Sequence, residues 1–184
     1  MKKKLIRELI KAGRYLFEAG VVDRFSGNLS VRLRKGILIT RSGSPLPDLT
    51  PADFVEVRND RPWAGRPSSE LAVHRRIYEL TDRSAVAHAH PPSAVRLAFF
   101  LEGDHYEPAD NEGRLLLGRV PILRLERPSA SPELAEAVAR ALREAPCALV
   151  YSHGVFCAAE RILDAAGLIT ALEFSARTFP LLRG

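Results

Sequence analysis

Residues 85–92, Ala85-Val86-Ala87-His88-Ala89-His90-Pro91-Pro92, read as a short buried strand that the double proline ends, opening a helix through Phe100. In a strand, side chains two apart face the same side, so His88 and His90 converge on one small volume. That is metal-ligand geometry, needing one or two further ligands from elsewhere. The competing reading is chance pairing of two imidazoles on a half-exposed strand.

Upstream, Ser68 or Ser69 can cap a helix carrying Leu71, Val73, Ile77 and Leu80. Glu70 in its first turn could simply complement the helix dipole. The same helix start offers free N–H groups and two hydroxyls, which suit a phosphate, and a carboxylate beside a metal could move protons. Phe54–Arg58 reads as a strand with an Asn59-Asp60 turn after it, and residues 41–51, with Gly43, Pro45, Pro47 and Pro51, as a loop. Leu29–Leu33 and Gly36–Thr40, joined by Arg34-Lys35-Gly36, predict an antiparallel hairpin. Ser26-Gly27-Asn28 stands before that hairpin and Arg41-Ser42-Gly43-Ser44 after it. Both combine Gly with short polar side chains, as phosphate nests do, although such residues mostly just make turns. Residues 4–19 have helical apolar spacing despite Gly13.

Downstream, Leu115–Leu117 and Val120–Leu125 are expected strands, and Ser131-Pro132-Glu133 begins a helix to about Glu144. Strands at Cys147–Tyr151 and Phe156–Ala158 and an amphipathic helix over 160–178 complete the chain. His153, before Gly154, lies at a strand end; three His would leave a metal one open position. Hairpins, then helices between strands, imply an α/β layered domain containing antiparallel pairs. Without an internal repeat or linker, residues 1–184 are expected to form one domain.

The chain has 184 residues, 46% hydrophobic and 27% charged, the composition of a globular protein rather than a disordered one. Its net charge of +5 favours anionic ligands, yet the charges are dispersed and no nucleic-acid-binding pattern accompanies them. Cys147 and Cys157 are too few for a disulfide scaffold and sit in apolar runs, so both are expected to be reduced core residues of a cytosolic protein. Lys2-Lys3-Lys4 resembles the start of a signal peptide, but Arg7, Glu8 and Lys11 break up the apolar segment such a peptide would need. No apolar run in the sequence could cross a bilayer. Four of the five lysines lie in or just before the first helix and Lys35 in a turn, which disfavours a Schiff-base lysine.

Taken in order, Ser26-Gly27-Asn28-Leu29-Ser30, Ile39-Thr40-Arg41-Ser42-Gly43, Pro67-Ser68-Ser69-Glu70, His88-Ala89-His90-Pro91 and Ser152-His153-Gly154 resemble the class II aldolase/adducin family, its fuculose-phosphate aldolase branch above all. The resemblance implies a three-layer αβα fold around a largely antiparallel, mixed sheet, one Zn²⁺ per subunit and a C4 homotetramer. It makes His88, His90 and His153 the zinc ligands, with Glu70 the acid/base and a further ligand in the empty enzyme. Asn28, Ser42, Gly43, Ser68 and Ser69 would hold the substrate phosphate, and Tyr106 would protonate the aldehyde oxygen across a subunit boundary. Ser42-Gly43 replaces the family's Thr-Gly and keeps a hydroxyl. The chain stops at Gly184, so contacts supplied by a longer C-terminal tail are expected to be absent or replaced.

The expected activity is cleavage of a phosphorylated ketose to dihydroxyacetone phosphate and an aldehyde. Ribulose-5-phosphate 4-epimerisation or sugar-phosphate dehydration on the same scaffold is the alternative, Glu at position 70 favouring the aldolase. A non-enzymatic, adducin-like interaction module is a further alternative, disfavoured by the three histidines.

Overall fold

Alternating side chains along the central strands point into two separate cores, which is what places helices on both faces of the sheet. The computed structural model describes residues 2–58 and 60–179. Its strands are β1 (Asn28–Leu33), β2 (Gly36–Thr40), β3 (Phe54–Arg58), β4 (Ala85–Ala89), β5 (His105–Tyr106), β6 (Val120–Leu123), β7 (Cys147–Val150) and β8 (Gly154–Ala159). The helices are α1 (Lys2–Glu18), α2 (Leu71–Leu80), α3 (Pro92–Phe100), α4 (Asn111–Leu116), α5 (Pro132–Glu144) and α6 (Ile162–Thr178). The strands form one eight-stranded sheet in the order β3-β2-β1-β4-β8-β7-β6-β5, antiparallel except for the β6–β7 pair.

On one face, Leu29, Val31, Ala87, Leu149 and Val155 pack with Leu9 and Leu16 of α1, Leu97 of α3 and Ile169 and Leu172 of α6. On the other, Ile39, Val57, Val86, Val150 and Phe156 pack with Val73 and Ile77 of α2 and Leu134, Val138 and Leu142 of α5. The expected α/β architecture of three layers is therefore the observed one. Each fully buried aliphatic side chain is worth about 1.5–3 kcal/mol.

Gly13 lies inside α1 because a Cβ there would stand 2.5 Å from the Leu46 carbonyl oxygen. Its cost in helix propensity is the condition for α1 to lie against the 3-10 turn at Leu46–Asp48.

Three expectations need correction. Residues 115–117 are not a strand: Leu115 and Leu116 end α4, because Asp110 accepts a hydrogen bond from the Gly113 amide and starts a helix there. Neither Ser68 nor Ser69 caps α2 through its side chain. Glu70 itself occupies the cap position, with Ser68 Oγ accepting from its amide at 3.3 Å. Cys147 and Cys157 are not free thiols but a disulfide. They sit directly opposite one another in the antiparallel β7–β8 register, which puts both sulfurs on one face of the sheet. The cysteines therefore lend no support to a reducing compartment. Of the expected Asn59-Asp60 turn, Asn59 lies outside the described residues. Among the described residues, no helix is long and apolar enough to cross a membrane.

Candidate active site

Asn28 opens β1, and the β1–β4 register sets it opposite His88 at the end of β4. His90 comes one residue beyond the strand, and its amide donates to the Val21 carbonyl at 3.1 Å. His153 reaches the same place from the β7–β8 connection, where Ser152 holds φ at +60°, uncommon for a residue with a side chain. The ligand nitrogens of His88, His90 and His153 lie within 4.8 Å of one another.

The geometry fits a cation better than an ion pair. His88 Nδ1 faces the Val155 carbonyl at 3.0 Å, so this nitrogen carries the proton and Nε2 is left as a bare donor. That Nε2 stands 2.9 Å from His90 Nε2 and 3.4 Å from Glu70 Oε2; His153 Nε2 stands 3.6 Å from Glu70 Oε1. Burial, the largest cause, and the neighbouring imidazoles hold His88 far below its ordinary pKa, and burial and His90 bring His153 down to about 4. Burial likewise depresses His90. The imidazoles are thus neutral, so their approaches to Glu70 are not salt bridges.

Burial pushes Glu70 up to about 7, only partly opposed by hydrogen bonding from the Asn28 side chain and the Ala130 backbone. Glu70 Oε1 and His153 Nδ1 are buried with no hydrogen bond of normal geometry. An orphaned carboxylate oxygen beside neutral nitrogens is a donor set lacking its positive centre. It suits a divalent metal of the Zn²⁺ type.

A cleft of about 260 Å³ opens over this group. The expected phosphate residues Asn28, Ser42, Gly43, Ser68 and Ser69 all line it, with Glu70 and the three histidines. Arg41 also lines it and supplies a positive charge to which the sequence alone assigns no role. Tyr106 does not. Its side chain is 1% exposed, its hydroxyl is 2.8 Å from Ser175 Oγ, and its ring packs edge-on to Phe179. A larger cavity of about 880 Å³, lined by Arg32, Arg58 and Trp63, lies toward the other end of β1 and contains none of the histidines, so size does not locate the site.

Gly154 is what lets the cluster close. A Cβ there would lie 2.5 Å from the Ala89 carbonyl oxygen, 2.8 Å from His90 Cδ2 and 3.0 Å from His88 Cε1. Gly154→Ala is expected to cost about 2–4 kcal/mol of stability and to strip the protein of metal. Thermal unfolding and elemental analysis of the purified variant check this; wild-type metal content would contradict it.

The family model described as Class II Aldolase and Adducin N-terminal domain matches residues 7–179. Among solved structures, l-fuculose-1-phosphate aldolase from Thermus thermophilus superposes with a TM-score of 0.93 at 39% identity, covering 98% of this chain and 95% of that one. A 5-methylthioribulose-1-phosphate/5-deoxyribulose-1-phosphate aldolase of Rhodospirillum rubrum is 42% identical over 93 residues, which is 49% of this chain and only 42% of that protein. A methylthioribulose-1-phosphate dehydratase of a Bradyrhizobium species is 30% identical over 186 residues, covering 91% of this chain and 86% of the relative.

Proposed function

This chain belongs to the class II aldolase/adducin family, whose enzymes among its relatives are lyases; from that premise we propose that it is a zinc-dependent aldolase. Its substrate in this reading is a phosphorylated ketose of the L-fuculose 1-phosphate kind, cleaved to dihydroxyacetone phosphate and an aldehyde. The observation that carries the reading is the convergence of His88, His90, His153 and an orphaned Glu70 oxygen under a cleft of hydroxyls.

His88, His90 and His153 hold the metal, with Glu70 completing the set before substrate arrives. A bound divalent cation supplies Lewis-acid stabilisation of the negative charge left when the carbon–carbon bond breaks. Ser42, Ser68, Ser69, Asn28 and the Gly43 backbone hold the phosphate, which fixes the reacting carbons relative to Glu70. Glu70, poised near neutrality by burial, moves the proton at the ketone-side carbon. Tyr106, which lies outside this cleft with its hydroxyl 2.8 Å from Ser175 Oγ, keeps in this reading the role of serving the aldehyde oxygen across a subunit boundary. The reading includes a C4 tetramer, for which exposed Phe99, Phe100 and Phe174 offer apolar surface.

A second reading, dehydration of a sugar phosphate, is favoured by the similarity to the dehydratase along most of its length. One assay separates the two: incubating the zinc-loaded protein with a panel of ketose phosphates. Dihydroxyacetone phosphate release is expected; water loss with an intact carbon skeleton would instead establish the dehydratase.

A further inference from the structure

A chain of buried polar groups runs from Glu70 into the core between α2 and β1. Glu70, His74 and Tyr78 succeed one another at helical spacing, and Asn28 and Ser30 at strand spacing, so two regular faces interlock. Asn28 Nδ2 donates to Glu70 Oε2 at 3.4 Å, and Asn28 Oδ1 is 2.5 Å from His74 Nε2. His74 Nδ1 is 2.7 Å from Ser30 Oγ, which is 2.7 Å from the Tyr78 hydroxyl. His74 and Ser30 are fully enclosed and Asn28 is 8% exposed, so water cannot stand in for any link.

The order of donors is set from one end. With Glu70 ionised, its carboxylate only accepts, so Asn28 turns its NH₂ to Glu70 and its carbonyl oxygen to His74. His74 Nε2 must then carry the proton. Its Nδ1 is bare and accepts from the Ser30 hydroxyl, which in turn accepts from Tyr78.

We propose that His74 is a positioning residue: as the neutral Nε2–H tautomer it locks the Asn28 amide with its NH₂ toward Glu70 and the cleft. The cleft then offers an anion a donor. With the amide reversed, it would offer an oxygen that repels both the phosphate and Glu70. The consequence for phosphate rests on the function proposed above; the order of the hydrogen bonds does not.

The test begins with the wild-type protein labelled with ¹⁵N-histidine, the His74 signals being assigned by their loss in His74→Phe and, independently, in His74→Gln. Long-range proton–nitrogen spectra at a pH high enough to ionise Glu70 are expected to show Nε2 protonated and Nδ1 bare. An Nδ1–H tautomer or an imidazolium overturns the proposal, even if His74→Phe does not fold. Titration with inorganic phosphate is then expected to give a Kd about 5–10-fold weaker for His74→Phe than for wild type. His74→Gln, which keeps a donor and an acceptor, should return most of that loss. A folded His74→Phe that binds phosphate as wild type does overturns the proposal, because a merely structural role would lower Tm and leave Kd alone. Wild type with the expected tautomer but no affinity for phosphate supports the locked amide and counts against the proposed function of the cleft.

Discussion

Glu70→Gln is expected to yield a folded protein that retains its metal and loses about 10²–10⁴-fold in kcat, the range a general acid/base contributes. Three histidines suffice to hold the metal, and Gln occupies the same volume while being unable to carry a proton on and off. Elemental analysis beside a kcat measurement checks both halves; wild-type turnover would refute the acid/base role. The same variant probes the burial of the carboxyl. Glu70 has an ordinary value of 4.5 and stands at about 7 when folded. Below about pH 4.5 it is protonated in both states and its contribution to stability is fully present. As pH rises the unfolded chain releases its proton first, so stability is lost through the folded value, by about 3 kcal/mol in the metal-free protein. The depressed histidines act in the opposite sense, losing stability as pH falls below 6.5, and both proteins share that contribution. The difference in Tm between metal-free Glu70→Gln and wild type should therefore widen from pH 5 to pH 8 in favour of the variant. A constant difference would mean that Glu70 is not desolvated.

Metal removal is expected to have an effect at least as large. Dialysis against EDTA should abolish cleavage and Zn²⁺ should restore it; full activity in metal-free protein would defeat the proposed chemistry, because among the described residues no lysine lines the cleft to replace a Lewis acid. The metal should also stabilise the fold. An ion present at about 1,000 times its Kd that binds only the folded state adds about 4 kcal/mol, which appears as a higher Tm. Relief of the orphaned Glu70 oxygen and of the crowded imidazoles is the physical source of that gain.

The site is largely legible in the sequence because its parts are local. His88 and His90 stand two residues apart at the end of a strand, and Ser42, Gly43, Ser68 and Ser69 lie in connections, with Asn28 at the start of β1; their assignment to a phosphate comes from the resemblance rather than from composition. His74 is not legible in this way, although the Glu70-His74-Tyr78 spacing marks one helical face, because a buried histidine is ordinary until its partners are known. Arg41 is equally silent, since an arginine in a turn is ordinary until the turn faces a cleft. Tyr106 owes its role to the resemblance alone, and within its own chain its hydroxyl stands beside Ser175 Oγ, outside the cleft. The cysteine pairing is hidden because opposite strand positions ten residues apart look like two unrelated apolar runs until the β7–β8 hairpin joins them.

By itself the amino-acid order determined the layered α/β architecture, the hairpin at residues 29–40 and the pairing of two imidazoles, since periodicity and turn chemistry act over a few residues. Only the tertiary structure decided that His153 and Glu70 meet that pair, that Gly154 leaves room for them, and that a polar thread joins Glu70 to Tyr78. Those outcomes depend on strand register and helix packing across tens of residues, where burial changes both which groups touch and which charge each one carries.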